Sequence, residues 1–373
     1  MELFQFLNVM VEHQASDLYF SVGAPVNIKI EGVTNPLKMP ILLPGEVKML
    51  AYSVMNEKQI AEFESRLEMN LAISALGIGR FRVNVYMQRG ETGMVVRYIK
   101  SKIPPLAELG LPATLENLIM LKHGLILVTG STGSGKSTTL ASMINYRNTH
   151  TTGHILTVED PIEFMHEHQK SIVDQREVGI DTKSYEDALK NAMREAPDVI
   201  MIGEVRESAT MMHAIAYAET GHLCITTLHA NNANQALERI INFFPEEAHH
   251  QLLMDLSINL VGVVSQRLIP GLKKKLVPAV EVLLQSAYIS DLIAKGEIAE
   301  IKNAMKESTG VGMCTFDQAL FDLYSEGRIS LEETLRNADS HTDLSLRIRL
   351  TEGKVPFADD DMKMTVIEPD VRS

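Results

Sequence analysis

Leu3, Phe6, Leu7 and Met10 recur at helical spacing and predict an amphipathic helix at the start of the chain. Val26, Ile28 and Ile30 then alternate with polar residues, the period of a half-buried strand. "GRFRVNVYMQRGETGMVVRYI", Gly79 to Ile99, predicts two strands joined by a turn around Arg89-Gly90. Together these predict a separate α/β unit over residues 1–100. "KIPPLAELGLPATL" interrupts the pattern with Pro104, Pro105, Gly110 and Pro112 and predicts an interdomain linker over 101–113. From Leu125 to Pro270 strands and helices alternate, as in a parallel α/β core, assigned to 114–270. From Pro278 onward the pattern is mostly helical, so 271–350 is expected to be a mostly helical C-terminal region. Residues 351–373 are acidic and aperiodic and are expected to be disordered. There is no internal repeat.

The 373 residues are 45% hydrophobic, enough for two or three packed domains, and 22% charged, which is too few for a disordered chain. Cys224 and Cys314 are the only cysteines, far apart and without a CxxC. That excludes a disulfide framework and a cysteine zinc site and fits a reducing cytoplasm. "MELFQFLNVMVEHQ" lacks the basic start of a secretory signal, and no apolar run reaches the ~18 residues of a membrane span. A formal net charge of −13 disfavours nucleic acid as the main partner, because counterion release needs a basic surface. The 20 methionines are scattered and read as core filling.

Chemistry concentrates first in "LILVTGSTGSGKSTTLASMI", Leu125 to Ile144. A buried strand ends at Thr129, and a helix resumes at Ser137. Between them Gly130-Ser131-Thr132-Gly133-Ser134-Gly135-Lys136-Ser137-Thr138 fits the phosphate-loop pattern. Glycines let backbone N–H groups approach an anion, and the following helix N-terminus favours negative charge. Lys136 is expected to reach the β- and γ-phosphates of ATP, and the Ser137 hydroxyl to ligate Mg²⁺.

Three further segments fall within the same core. "ILTVEDPIEF", Ile155 to Phe164, is a strand ending in Glu159, Asp160 and Glu163, where open α/β sheets bind ligands. These acids are expected to hold Mg²⁺ through water or to orient the attacking water. "APDVIMIGEVRE", Ala196 to Glu207, ends a strand with Gly203 where most phosphate-loop enzymes carry Asp, leaving Glu204 as first choice for polarising water. The absent Asp turns attention to Glu159 and Glu163 for help from the second sphere. "TGHLCITTLHANN", Thr220 to Asn232, brackets a strand with His222 and His229; His229 is a candidate γ-phosphate sensor, and His222 a candidate subunit contact. His166, Glu167 and His168 are read as a solvated segment rather than a metal site, since adjacent residues share no helical face.

In this order the four segments resemble the secretion-superfamily ATPases of the type IV pilus, in the retraction branch formed by the PilT/PilU family. The resemblance covers Met1 to about Leu350. "GHLCITTLHANNANQALERIINFFP", "QREVGIDT" and "TFDQALFDLYSEGRIS" look closer to the PilU side than to PilT. Where PilT carries an "AIRNLIRE"-like motif needed for retraction, this chain has "AYISDLIAKGEI", which lacks its arginines and favours an accessory, PilU-like role. The resemblance implies an N-terminal PAS-like domain on a RecA-like ATPase domain, a ring of six subunits, and ATP at the junction between subunits. It also implies work with a PilT-like retraction ATPase and an inner-membrane platform protein, at the cytoplasmic face of the inner membrane and peripheral to it. A phosphate loop needs a transition-state cation from elsewhere. Arg80, Arg82 and Arg97 on the N-terminal strands are candidates, with Arg194 and Arg206 second. Other readings are a pilus-extension or secretion ATPase, a DNA-transfer ATPase, a non-catalytic motor subunit and a small-molecule kinase. Extension relatives usually carry a longer N-terminal region and a four-cysteine metal insertion, both missing here, and no kinase lid is visible.

Overall fold

The computed structural model describes residues 2–351 except 275, 309 and 311. Two sheets organise it. The first contains β1 (Asp17–Phe20), β2 (Asn27–Ile30), β3 (Val33–Pro36), β4 (Glu68–Ala75), β5 (Gly79–Gln88) and β6 (Glu91–Ile99). They are antiparallel in the order β3-β2-β1-β6-β5-β4. The expected turn joins β5 to β6: Arg89 and Gly90 both have positive φ, 50° and 79°, the twist a two-residue hairpin turn requires. Alternation decides which way β5 faces. Phe81, Val83 and Val85 point into a core with the helix Leu3–Glu12, whose Leu3, Phe6, Leu7 and Met10 are buried as the spacing predicts. Arg80 and Arg82 point out of the other face.

The second sheet contains β7 (Gly124–Thr129), β8 (Gly153–Glu159), β9 (Ser171–Glu177), β10 (Val199–Ile202), β11 (Leu223–Leu228), β12 (Leu260–Pro270) and β13 (Leu276–Leu284). Its order is β13-β12-β7-β11-β10-β8-β9, parallel except for the β12–β13 pair. Every residue of β7, β10 and β11 is buried, because helices cover both faces. Apolar clusters fill the space on each side. This is a mixed α/β chain with an N-terminal unit and a phosphate-loop ATPase core.

Two local expectations change. β13 lies in the segment expected to be mostly helical, yet it pairs with β12 over nine positions from Gly262↔Leu284 to Pro270↔Leu276. Its Val277, Val280 and Val282 are β-branched and, with Ala279, buried, and the helical pattern begins only at Ala287. The proline-rich connection is also anchored: Leu106 is buried in the short helix Leu106–Leu109, and the Ser142 hydroxyl of the helix Lys136–His150 donates to the Pro104 carbonyl at 2.7 Å. Apart from Thr351, the acidic tail lies outside the described residues. Among the described residues no helix is long and apolar enough to cross a membrane.

The two sheets meet next to the phosphate loop. The Met165 amide donates to the Lys100 carbonyl at 2.9 Å. Asp17, Arg97 and Arg82 stand directly opposite one another across β1, β6 and β5. Two facing guanidinium groups repel unless each has an anion. Arg97 donates to Asp17 at 2.7 Å, and Arg82 reaches across to Glu177 at the end of β9, at 2.9 Å.

Candidate functional site

The phosphate loop turns between β7 and the helix Lys136–His150. Gly133 and Gly135 have φ of 80° and 92°, and a Cβ on Gly135 would sit 2.7 Å from the Gln266 amide nitrogen. Both positions therefore favour glycine. Lys136 Nζ folds back and donates to the Gly130 and Ser131 carbonyls at 2.8 and 2.9 Å. Burial lowers its pKa, while the negative charges of Glu204 and Glu163 oppose that shift.

Thr132, Gly133, Lys136 and Ser137 line a cleft of about 210 Å³ together with Glu159, Glu163, Glu204 and His229. Of the remaining loop residues, Thr138 faces a larger cleft of about 930 Å³ between the two sheets. Gly130 and Ser131 border a small hollow beside Arg267, and Ser134 is buried beneath the loop.

The acids differ in environment. Glu204 follows β10 and is nearly buried; it pairs with Arg206, and His229 Nε2 lies 3.4 Å from its Oε2. Glu163 is exposed at the mouth. Glu159 is buried: Thr157 Oγ1 and Gln175 Nε2 donate to its Oε1 at 2.7 and 3.1 Å, and burial raises its pKa to about 7. It is thus a neutral or half-ionised carboxyl rather than a standing charge near neutrality.

His222 and His229 do not share an edge. They stand at opposite ends of β11, about 20 Å apart at ~3.3 Å per residue. His222 contacts Thr220 and Tyr217 at the far end. The reading of His166 to His168 as solvated holds for the exposed Glu167 and His168 but is corrected at His166. His166 is 8% exposed, lines the cleft, and has its pKa pulled down to about 4 by burial; His168 Nδ1 accepts the Val173 amide.

The arginines separate clearly. Arg82 is held by Glu177 on β9, and Arg80 lies 3.9 Å from Asp181 in the turn after it, so both tie the N-terminal unit to this end of their own chain's second sheet. Arg97 keeps 61% of its side chain exposed and faces the larger cleft. Arg194 precedes β10, at the end away from Glu204, whereas Arg206 sits on Glu204 itself.

Sequence reasoning missed two residues. Glu281 on β13 is buried, accepts the Ala233 amide at 2.8 Å, and has its pKa raised to about 7 by burial. Tyr185, at the start of the helix Tyr185–Ala192, lines the cleft, and its hydroxyl comes within 2.9 Å of where a Cβ on Gly203 would lie. The Glu159 Cα would be 3.3 Å from the same point. The space that an Asp at 203 would occupy is already filled, which explains the missing acid.

Residues 4–347 match the family described as type II/IV secretion system protein. The chain is 54% identical over 353 residues to the type IV pilus ATPase PilU of Pseudomonas aeruginosa, covering 94% of this chain and 92% of that one. It is 39% identical to the type IV pilus retractation ATPase PilT of the same organism, covering 91% and 98%. The crystal structure of the pilus retraction motor PilT with bound ADP superposes with a TM-score of 0.86 at 41% identity, covering 93% of this chain and 99% of that one.

Proposed function

The chain belongs to the type II/IV secretion system protein family, among the type IV pilus ATPases of the PilT and PilU kind, and from that premise we propose that it hydrolyses ATP to support pilus retraction. The observation that carries this reading is the convergence of Lys136, Glu204 and His229 on one cleft. Lys136 leaves the Gly130 and Ser131 carbonyls for the β- and γ-phosphates. Glu204 polarises the attacking water and takes its proton, and His229 senses the γ-phosphate beside it. Glu159 anchors Thr157 and Gln175 behind them.

Among the described residues no group of three His, Cys, Asp or Glu stands together as a metal site. That suits Mg²⁺, which takes one or two protein oxygens and completes its shell with phosphates and water. Ser137, and Glu163 through water, would hold it. When bound, it neutralises charge on the β- and γ-phosphate oxygens.

Arg97, the most exposed of the three candidate arginines Arg80, Arg82 and Arg97, serves a neighbouring subunit's site in a ring of six. The domain assignment follows: a PAS-like unit over 1–100 bears Arg97, the linker spans 101–113, the RecA-like core begins at 114, and the C-terminal region extends to 350. The working partners are a PilT-like retraction ATPase and the inner-membrane platform protein, met at the cytoplasmic face of that membrane. The segment "AYISDLIAKGEI" supports the accessory role: Ile289, Leu292 and Ile293 are buried, and its outer face carries an Asp291–Lys295 pair in place of arginines.

The test is ATP hydrolysis by the purified chain, alone and with a PilT-like ring, for wild type and Lys136→Ala. Lys136→Ala should abolish turnover, and unchanged hydrolysis in the folded variant overturns the reading.

A further inference from the structure

Tyr185 Oη is buried and has no hydrogen-bond partner. An unpaired buried hydroxyl costs stability, roughly 1–3 kcal/mol on mutational scales, so its retention calls for a reason. Its position supplies one. The ring fills the space above Gly203, one residue before Glu204, and borders the cleft shared by Lys136, Glu204 and His229. Burial raises its pKa, the carboxylates of Asp160, Glu204 and Glu159 add to that, and the nearby Glu204 backbone N–H only partly opposes them; the hydroxyl stays protonated throughout the physiological range.

Hydrolysis sets a geometric demand that Glu204 alone does not meet. A water attacking the γ-phosphorus points a lone pair at phosphorus and two hydrogens away from it. One hydrogen goes to the Glu204 carboxylate; the other needs a second acceptor. We propose that the Tyr185 hydroxyl is that acceptor, keeping its own hydrogen and turning it toward a flanking carboxylate as a hydrogen-bond donor, and so acts as a positioning residue where an acid at 203 is missing. As the new bond forms from the water oxygen to phosphorus, the bond to the β–γ bridging oxygen breaks, its electron pair leaves with ADP, and the water's proton goes to Glu204. Tyr185 gains and loses nothing. This assignment rests on the reading of Glu204 as the proton acceptor.

The experiment compares full-length wild type with Tyr185→Phe, Glu204→Gln and the double variant. Four quantities are measured: kcat and KM for ATP, affinity for MgADP, affinity for MgADP with aluminium fluoride, and Tm. Removing an orphaned hydroxyl leaves nothing unpaired, so Tyr185→Phe should fold with an equal or higher Tm. It should lose about tenfold in kcat, the scale of one hydrogen bond, with KM and MgADP affinity within about twofold. Affinity for the aluminium fluoride complex, which holds a water in line, should fall by a similar factor. In the Glu204→Gln background the same change should cost little, because both groups act on one water.

Unchanged kcat and aluminium fluoride affinity in Tyr185→Phe overturn the proposal. So does a fall in Tm or MgADP affinity that accompanies the loss, which would mark the ring as packing. Full multiplication of the two effects in the double variant also overturns it. Failure of the underlying reading looks different: Glu204→Gln itself would then keep near-wild-type kcat.

Discussion

Glu159 offers a test in which stability and catalysis should part. Its pKa rises from 4.5 to about 7 because the carboxyl is buried, and the donors Thr157 and Gln175 only partly offset that cost. A carboxyl whose folded pKa is raised binds its proton more tightly in the native state than in the unfolded one. Stability is then unaffected below about pH 4.5 and falls as pH rises toward 7, with slope set by the extra bound proton. At ~1.4 kcal/mol per pH unit, the ionised form costs on the order of 3 kcal/mol above pH 7. Glu159→Gln has the shape of the neutral acid and keeps an oxygen for both donors. The variant should lie within about 1 kcal/mol of wild type at pH 5 and become more stable by up to about 3 kcal/mol at pH 8. Paired urea unfolding curves at pH 5, 6, 7 and 8 measure this, and subtracting wild type from variant cancels Glu281, which titrates in the same window. At pH 6 the variant should also hydrolyse ATP within a few-fold of wild type. A flat difference across pH, or a variant that becomes less stable as pH rises, would show that Glu159 is an ionised and compensated group and would refute the reasoning.

Two further outcomes follow from the same geometry. Glu204→Gln should still bind ATP but hydrolyse it at least ~100-fold more slowly, the scale of general-base loss; a near-normal rate, with Glu163→Gln the slower variant, would reverse the two roles. Arg82→Ala should strand the buried Glu177 and lower stability by roughly 3 kcal/mol in thermal or urea unfolding, and adding Glu177→Gln should restore much of that; no recovery in the double variant would mean the pair does not carry the docking of the two sheets.

The cleft that gathers Lys136, Glu204 and His229 was legible in the sequence because each part is written within a few consecutive residues at the C-terminal end of a strand. Gly130 to Thr138, Glu204 and His229 fall where strand polarity and the parallel order deliver them. What was not legible depends on distance along the chain. Tyr185 reaches Gly203 from a helix start eighteen positions earlier, and no periodic signal marks a ring that points into a cleft. The partners Glu177 and Asp181, which decide that Arg82 and Arg80 are docking groups, lie at the end of β9 in the other sheet and in the turn that follows it. His222 and His229 looked alike because bracketing a strand says nothing about which end binds phosphate. His166 looked solvated because the argument against a metal site was taken as an argument for exposure. β13 escaped because Pro278 suggested a break, yet it sits on an edge strand, where its missing N–H costs least.

The arrangement also explains how chemistry in the small cleft is felt by the N-terminal unit. Pro161, Glu163 and Phe164 line both the nucleotide cleft and the larger cleft that holds Arg97. The next residue, Met165, is hydrogen-bonded to Lys100 at the end of β6. A single loop therefore lines the small cleft on one side and touches the N-terminal sheet on the other. The two ties to this end of the second sheet are unequal: Arg82 meets a buried carboxylate at 2.9 Å, whereas Arg80 meets a more exposed Asp181 at 3.9 Å and contributes little. Docking thus hinges on one strong pair at the end of β9, with the loop from Asp160 to His166 beside it.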